Sequence, residues 1–260
     1  MEGAWPPWRS LNQGAHNEQT DRQDGRDHRR GNRHRPRRSK TLIEEGAFVY
    51  IFGRRQEMLD AAVHQLGPSA RAVQGSVTHL PDLDRLYETV KAERGSLDIV
   101  LANAGTGAFA ALGSITPEHV DETFDINVKG LIFTVQKALP LMGTGGSIIL
   151  TGSSTGVMGT PAFSIYSATK AAVRNLARSW ALDLRGTGIR VNVMSPGPIS
   201  TELAQEVLGA DGMDAIGATT VLGRVGDPSE TSAVAAFLAS ADSSFMTGGE
   251  VFVDGGLAQV

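Results

Sequence analysis

Two hydrophobic periodicities alternate along most of the chain. Short β-branched and aromatic runs, bounded by glycine or polar residues, predict buried strands. Between them lie longer segments with apolar residues at helical spacing. This alternation predicts a doubly wound parallel α/β sheet with helices on both faces. The predicted strands are 48–52, 70–74, 97–101, 147–150, 189–194 and 250–253, and the predicted helices are 56–66, 80–93, 117–139, 166–184 and 229–239.

Length and composition narrow the class of protein. A chain of 260 residues suits one α/β domain with a single large core. It contains no cysteine, which excludes disulfides and cysteine metal sites, and we expect no metal centre. No apolar run is long enough for a transmembrane segment or a leader, so we expect a cytoplasmic protein without a membrane partner.

The charge divides the chain at about residue 40. Residues 1–40 carry ten Lys and Arg against five Asp and Glu, whereas residues 41–260 carry fourteen against twenty-three. We therefore predict a disordered or aberrant basic segment over 1–40 and one folded domain over 41–260. The alternative is a nucleic-acid arm at residues 22–40, but that segment has no interleaved aromatic residues and the body is acidic. We expect no nucleic-acid partner.

Candidate catalytic residues follow the predicted strands, at the sheet edge where such folds bind ligands. Tyr166 and Lys170 are four residues apart and share a helical face. A nearby ammonium lowers the pKa of a phenol, which ordinarily lies at about 10, and prepares it for proton transfer. Ser153 follows strand 147–150, and Asn127 interrupts a helix in which asparagine is unfavourable. Taken singly, each residue also has a plain structural interpretation. Tyr166 and Lys170 are compatible with a surface pair on a helix, Ser153 with a turn serine and Asn127 with an exposed or capping asparagine.

Taken together, the motifs resemble the short-chain dehydrogenase/reductase family. The likeness covers residues 41–260. It is carried by Asn103-Ala104-Gly105, Asn127, Ser153, Tyr166-x-x-x-Lys170, Pro196-Gly197 and the ending Thr247-Gly248-Gly249 through Asp254-Gly255-Gly256, in this order and spacing.

The resemblance implies a Rossmann-type catalytic domain that transfers a hydride between a nicotinamide cofactor and a small carbonyl or alcohol substrate. It implies that Tyr166 is the general acid and base and that Ser153 polarises the substrate carbonyl. Lys170 would bind the nicotinamide ribose and lower the pKa of Tyr166, and Asn127 would hold a water of a proton relay. A homodimer or homotetramer is also implied. The further implied cofactor contacts are Ser76 and Val77 near the adenine, Asn103, Ala104 and Gly105 on the adenine-ribose side, and Pro196, Gly197, Ile199 and Thr201 around the carboxamide.

The end of strand 48–52 bears on the choice of cofactor. NAD sites place an acidic residue there for the ribose hydroxyl, whereas this chain has Arg54 and Arg55. A guanidinium pairs with a phosphate in bidentate fashion, and a carboxylate repels it. We therefore expect NADP(H) in preference to NAD(H), with Arg54 as the first contact and Arg55 as the second. A solvated arginine pair is the alternative. Ser76 also departs from the family, which usually has an aspartate at that place.

The family's phosphate-binding loop, Thr-Gly-x-x-x-Gly-x-Gly, is missing from the sequence. In its place stand residues 24–39, which are almost entirely charged or polar and unsuited to a buried central strand. The sequence therefore predicts a missing or disrupted first strand and weak or absent cofactor binding. The catalytic residues are nevertheless all present. A catalytically impaired scaffold or binding protein of the same family is the alternative to an active enzyme.

The genetic code offers an origin for this basic segment. Read from the second base of each codon, residues 22–39 permit Gly-Lys-Thr-Ala-Val-Thr-Thr-Gly-Gly-Ala-Thr-Gly-Ile-Gly-Leu-Ala-Ala, which restores the strand, loop and helix start. We hypothesise a frameshifted stretch, with a genuine basic arm as the rival.

The substrate itself is not identified by the sequence. We expect the loop over residues 200–225 to close over it. The apolar residues of this loop are candidates for a substrate lining or for packing, namely Leu203, Val207, Leu208, Met213 and Ile216.

Overall fold

A computed structural model describes residues 14–17 and 37–260, and within them seven strands form one parallel sheet. The strands are β1 (Gly14–Asn17), β2 (Val49–Gly53), β3 (Ala70–Gln74), β4 (Ile99–Ala102), β5 (Ser147–Thr151), β6 (Arg190–Pro196) and β7 (Glu250–Val253). The helices are α1 (Arg37–Glu44), α2 (Gln56–Leu66), α3 (Leu80–Arg94), α4 (Pro117–Phe124), α5 (Leu131–Ala138), α6 (Ser164–Asp183), α7 (Glu202–Gly217) and α8 (Pro228–Ala239).

The strand order is β3-β2-β1-β4-β5-β6-β7, which confirms the predicted doubly wound sheet. The chain winds outward in one direction through β2 and β3 and in the other through β4 to β7. The reversal lies between β1 and β4, and ligands of such sheets bind outside the carboxyl ends of the strands at this point.

Both faces of the sheet are buried, which explains the continuous apolar runs of its strands. In β2, Tyr50 and Phe52 face the core under α3, α5 and α6. The intervening Val49 and Ile51 face the core under α1, α2 and α8. Successive strand residues point to opposite faces, so each strand contributes to both cores.

Two predicted segments differ from the structure. The helix predicted over 117–139 consists of α4, a π-helical segment (Asp125–Gly130) and α5. The loop predicted over 200–225 contains α7, which is broken at Gly209 (φ +67°, ψ −178°). That conformation is essentially restricted to glycine, so the break follows from the residue type.

The expected absence of the first strand is corrected by the structure. Gly14–Asn17 forms β1, which pairs in parallel with β2 on one side and β4 on the other. The pairing is made by backbone groups, so a segment without apolar character or proline can still supply the ladder. Residues 24–39 are the segment for which the sequence predicts no strand. The strand lies upstream of them, at Gly14–Asn17.

The boundary drawn at residue 40 falls inside α1, which packs against α8 and α2. Leu42 and Ser39 are buried there. The folded unit therefore includes residues on both sides of that boundary. Residues 18–36, which hold most of the segment in place of the phosphate loop, lie outside the described residues, so the frameshift remains a hypothesis.

The described part of the chain also bears on membrane and metal binding. None of its helices has both the length and the apolar character to cross a bilayer. It also holds no group of three or more histidine and acidic side chains placed to bind a metal ion.

The position of β1 predicts a specific sensitivity to proline. Ala15→Pro removes a ladder N–H from a strand paired on both sides, and we expect a loss of about 1–3 kcal/mol in the free energy of unfolding. Urea unfolding of the purified chain measures this loss. Ala15→Ser, which keeps the N–H, is the control, and equal stability of the two variants would contradict the pairing.

Candidate active site

Tyr166 and Lys170 lie one turn apart on α6, as their spacing predicts. The Lys170 Nζ is 5.4 Å from the centroid of the Tyr166 ring. Tyr166 lies in the first turn of the helix, and Lys170 is 4% exposed. The phenol and the ammonium therefore occupy one region at the carboxyl edge of the sheet.

The Lys170 ammonium is held by the end of β5. Its Nζ donates to the Thr151 carbonyl oxygen at 2.9 Å. A buried ammonium needs such hydrogen bonds to offset the loss of hydration. Thr151 also donates from Oγ1 to Asn103 Oδ1 at 2.9 Å, which links the ends of β5 and β4.

The Ser153 hydroxyl is oriented by its neighbour Thr155. Ser153 Oγ accepts from the Thr155 amide at 3.2 Å and from the Thr155 hydroxyl at 3.0 Å. A hydroxyl has two acceptor positions and one proton. Both acceptor positions are used, which leaves the Ser153 proton for the Tyr166 phenol, the pKa of which it lowers.

The pKa of Tyr166 differs from the expected lowering. Burial of the ring raises the pKa of the phenol above its usual 10, and the Ser153 hydroxyl works against this rise. The sequence predicted that Lys170 would lower the pKa. In the protein alone the effect of burial is the larger one, and the Lys170 ammonium, 5.4 Å from the centroid of the ring, is hydrogen-bonded to the Thr151 carbonyl.

Asn127 lies in the π-helical segment and is fully buried. Its Nδ2 donates to the Thr106 carbonyl at 2.8 Å and to the Thr169 hydroxyl at 2.9 Å, while its Oδ1 accepts from the Thr106 amide at 2.7 Å. Both N–H groups are in use, and one acceptor position of Oδ1 remains. Asn127 thus fastens the loop after β4 to α6.

Gly105 separates Asn127 from Lys170. A Cβ at this residue would lie 3.5 Å from both Asn127 Oδ1 and Lys170 Nζ. The glycine keeps side-chain atoms out of the region between the two polar groups. A water of the expected proton relay would have to occupy this region.

The residues expected at the adenine end lie at the ends of β2 and β3. Arg54 is partly exposed and Arg55 is exposed at the N-terminus of α2. Ser76 hydrogen-bonds the Thr78 hydroxyl at 2.8 Å. Val77 is 1% exposed and packs against Gly130 of the π-helical segment, so its side chain belongs to the core.

The residues expected at the nicotinamide end follow β6. A Cβ on Gly197 would lie 2.6 Å from the Asp254 Cα, so the glycine permits close approach of the C-terminal segment. Ile199 pairs with Gly226 in an isolated parallel bridge. Thr201 accepts from the Ala204 amide at 3.1 Å and caps α7, so its side chain already has a structural role.

The apolar residues expected to line the substrate loop divide into two groups. Met213 is 8% exposed and belongs to the buried set, whereas Ile216 is 36% exposed. The side chains of Leu203, Val207 and Leu208 lie outside what the structure describes.

A second polar network, missed by the sequence reasoning, anchors α6. Arg174, one turn after Lys170, forms an ion pair with Glu250 at the start of β7. Ser195 of β6 donates to the other Glu250 oxygen at 2.7 Å. The Glu250 side chain is 8% exposed. Opposite charges at 174 and 250 carry no local sequence signal, because only the fold brings them together.

The donor set fits a nicotinamide dinucleotide over the part that the structure describes. The guanidiniums of Arg54 and Arg55 follow β2, and the backbone at Gly197 follows β6. The Lys170 ammonium lies at the end of β5, so these groups share one sheet edge, on both sides of the reversal. Guanidiniums suit a phosphate and the ammonium suits ribose hydroxyls. The segment expected at the pyrophosphate lies within residues 18–36, outside the described residues.

The burial of the tyrosines predicts their titration. The chain has three, and burial raises the pKa of each: that of Tyr50 to about 12, those of Tyr87 and Tyr166 above 10. Above about pH 10 we expect a smaller fraction of ionised phenol in the native protein than in the unfolded chain. Stability should therefore fall as the pH rises above about 10. Ultraviolet titration of the native protein measures the ionisation of the phenols, with the urea-unfolded chain as control. A native phenol that ionises below pH 10 would contradict the raised pKa values.

Comparisons with known proteins identify the family of this chain. The family model described as Enoyl-(Acyl carrier protein) reductase matches residues 38–258. The chain is 65% identical to Oxidoreductase asL5 of Sarocladium schorii over 224 residues, which are 85% of this chain and 90% of that protein. It is 32% identical to Dehydrogenase/reductase SDR family member 4 of Pongo abelii over 225 residues (84% and 81%), and 33% identical to NADP-dependent (R)-specific alcohol dehydrogenase of Lentilactobacillus kefiri over 222 residues (83% and 88%). The chain belongs to the short-chain dehydrogenase/reductase family.

Proposed function

We propose that this protein interconverts a carbonyl compound and its alcohol with NADP(H), through Tyr166, Ser153, Lys170 and Asn127. The observation that carries the proposal is the half-buried phenol of Tyr166 beside the Ser153 hydroxyl, with the Lys170 ammonium 5.4 Å from the centroid of its ring. A proton donor, a hydrogen-bond donor and a fixed positive charge converge on one position. That combination suits reduction of a carbonyl group.

The reaction divides between cofactor and protein. When bound, the nicotinamide supplies the hydride to the carbonyl carbon, or accepts it in the reverse direction. Ser153 donates its remaining hydrogen bond to the carbonyl oxygen and thereby orients the substrate. Tyr166 gives its phenolic proton to the same oxygen as negative charge develops there, and takes the proton back when the alcohol is oxidised.

Lys170 and Asn127 support the proton transfer. Burial keeps the Tyr166 phenol neutral, which is the form needed for proton donation. The Lys170 charge favours the phenolate that remains after donation. Asn127 holds the loop after β4 against α6, and its free acceptor position faces the region kept open by Gly105. We assign to that region the water of the proton relay.

The preference for NADP(H) is supported by Arg54 and Arg55 at the end of β2. Strand β2 adjoins β1 at the topological reversal, where the ribose of a dinucleotide binds in such folds. No carboxylate occupies the first two positions after β2. The name of the Lentilactobacillus kefiri relative states NADP dependence, which adds support.

The same fold also makes the proposed oligomer reasonable. Family members associate through helices equivalent to 117–139 and 166–184 and through the last strand. Two large apolar side chains, Leu182 near the end of α6 and Phe237 on α8, are 65% and 39% exposed in the single chain. We propose that a homodimer or homotetramer covers such positions.

Replacing the catalytic phenol tests the mechanism. Tyr166→Phe removes the proton donor, and we expect kcat for ketone reduction to fall about 100- to 10,000-fold. Because the family's phosphate loop is absent from the sequence, we expect weak NADPH binding, so turnover is followed with the cofactor raised to millimolar levels. Tyr87→Phe is the matched control, since that hydroxyl only donates to the Thr134 carbonyl. Full turnover by the Tyr166 variant would refute the proposed role.

Cofactor preference is tested at the end of β2. Arg54→Gln removes a charge-assisted pairing with the ribose phosphate, and we expect the Kd for NADPH to rise about 10-fold. The Kd for NADH should stay the same. Fluorescence titration measures both, and Arg55→Gln is the comparison variant. Equal losses for NADPH and NADH in both variants would show that neither arginine reads the phosphate.

A further inference from the structure

The Ser153 hydroxyl lies in a tight turn directly after β5. Ser153 caps the short 3-10 helix Ser154–Gly156, and its Oγ accepts from the amide and from the hydroxyl of Thr155, at 3.2 and 3.0 Å. The Thr155 hydroxyl is the donor in the second of these bonds. Thr155 therefore supplies both groups that fill the acceptor positions of Ser153, one from its main chain and one from its side chain.

Two glycines hold this turn against its neighbours. A Cβ on Gly152 would overlap the hydroxyl of Ser195 in β6. A Cβ on Gly156 would lie 3.1 Å from the main-chain carbonyl carbon of Lys170. The start of the turn is thus packed closely on β6 and its end on the main chain of α6. This packing keeps the Thr155 hydroxyl beside Ser153.

The filled acceptor positions decide where the protons of the site point. Ser153 has one proton of its own, and donation is the one hydrogen bond it still has to make. The Tyr166 phenol cannot donate to an oxygen whose acceptor positions are both in use. The hydrogen bonds therefore run in one direction, from Thr155 to Ser153 and on to the next oxygen, and each donation strengthens the one that follows.

We propose that Thr155 is a positioning residue, whose hydroxyl keeps the Ser153 proton directed at the substrate oxygen and the Tyr166 proton free for transfer. This inference rests on the proposed carbonyl reduction. Without the Thr155 hydroxyl, one acceptor position of Ser153 becomes free, and the phenol can donate to it. The phenolic proton is then held by Ser153 instead of passing to the carbonyl oxygen. Such a bond also stabilises the neutral form of the phenol.

The other groups around Tyr166 are held by contacts that do not involve the turn. The Lys170 ammonium lies 5.4 Å from the centroid of the ring, and the Phe163 ring stacks on it at 4.4 Å between centroids. The Ala110 amide of the loop after β4 donates to the Ala162 carbonyl, just before α6, at 2.7 Å. Of these groups only the ammonium carries a charge. A change in the turn that alters the titration of the phenol therefore acts through the serine hydroxyl.

Thr155→Val tests the positioning role, because valine keeps the shape of threonine and lacks its hydroxyl. With acetophenone as the ketone and millimolar NADPH, we expect kcat to fall about 3- to 10-fold, the effect of one hydrogen bond. Thr155→Ser keeps a hydroxyl and should restore turnover. Thr89→Val is the matched control, since the Thr89 hydroxyl donates to the Arg85 carbonyl within α3.

The titration of Tyr166 distinguishes this role from a merely structural one and needs no turnover. The ultraviolet titration of each protein, minus that of the same protein carrying Tyr166→Phe, isolates this phenol. We expect it to ionise at higher pH in Thr155→Val than in wild type, because the Ser153 oxygen then accepts the phenolic proton. Thr155→Ser should return the titration to that of wild type.

The outcomes separate this inference from the proposed function. If wild type reduces acetophenone and Thr155→Val keeps full kcat, the positioning role is overturned and carbonyl reduction stands. A fall in kcat with an unchanged titration shows a merely structural role and also overturns it. If wild type does not reduce acetophenone, the titration decides: a shift to higher pH that Thr155→Ser reverses supports the role, and an unchanged titration overturns it. Thr155→Ala removes the same hydroxyl and replaces the valine variant if that chain does not fold.

Discussion

The hydrogen bond from the buried Lys170 ammonium to the Thr151 carbonyl is the contact on which the site depends. An ammonium that is 4% exposed has lost most of its hydration, so its position is set by the protein groups that replace water. The bond joins α6 to the end of β5. Since Tyr166 lies one turn earlier on the same helix, the same contact also locates the phenol.

Further polar contacts attach α6 to neighbouring strands and loops. The Thr151 hydroxyl reaches Asn103 at the end of β4, and Asn127 joins the following loop to Thr169 of α6. Further along α6, Arg174 reaches Glu250 of β7. Helix α6 is therefore attached to β4, β5 and β7 by polar contacts in addition to its apolar packing. Such attachment holds reacting groups within the small tolerances that proton transfer requires.

Much of the fold could be predicted because its signals are local. Helix 56–66 and strand 70–74 have the predicted bounds, since periodicity and flanking breakers coincide there. The Tyr166 and Lys170 pair was predictable because four-residue spacing fixes a shared helical face. The order of polar residues after successive strands predicted one common edge for them.

The remaining features depend on information that is not local. Strand β1 has no hydrophobic pattern, and its place is fixed by the ladders of β2 and β4 on either side. The π-helical turn at Asn127 follows from the partners of its amide in two other segments. The raised pKa of Tyr166 could not be predicted from its spacing to Lys170, because the degree of burial emerges only from the packed structure.

The Ala110 amide donates to the Ala162 carbonyl at 2.7 Å, and this junction joins the loop after β4 to the segment before α6. It is made by main-chain atoms, so it does not depend on the side chains that the two loops present. The course of the two loops beside Tyr166 is therefore set by the backbone, whichever side chains the loops carry.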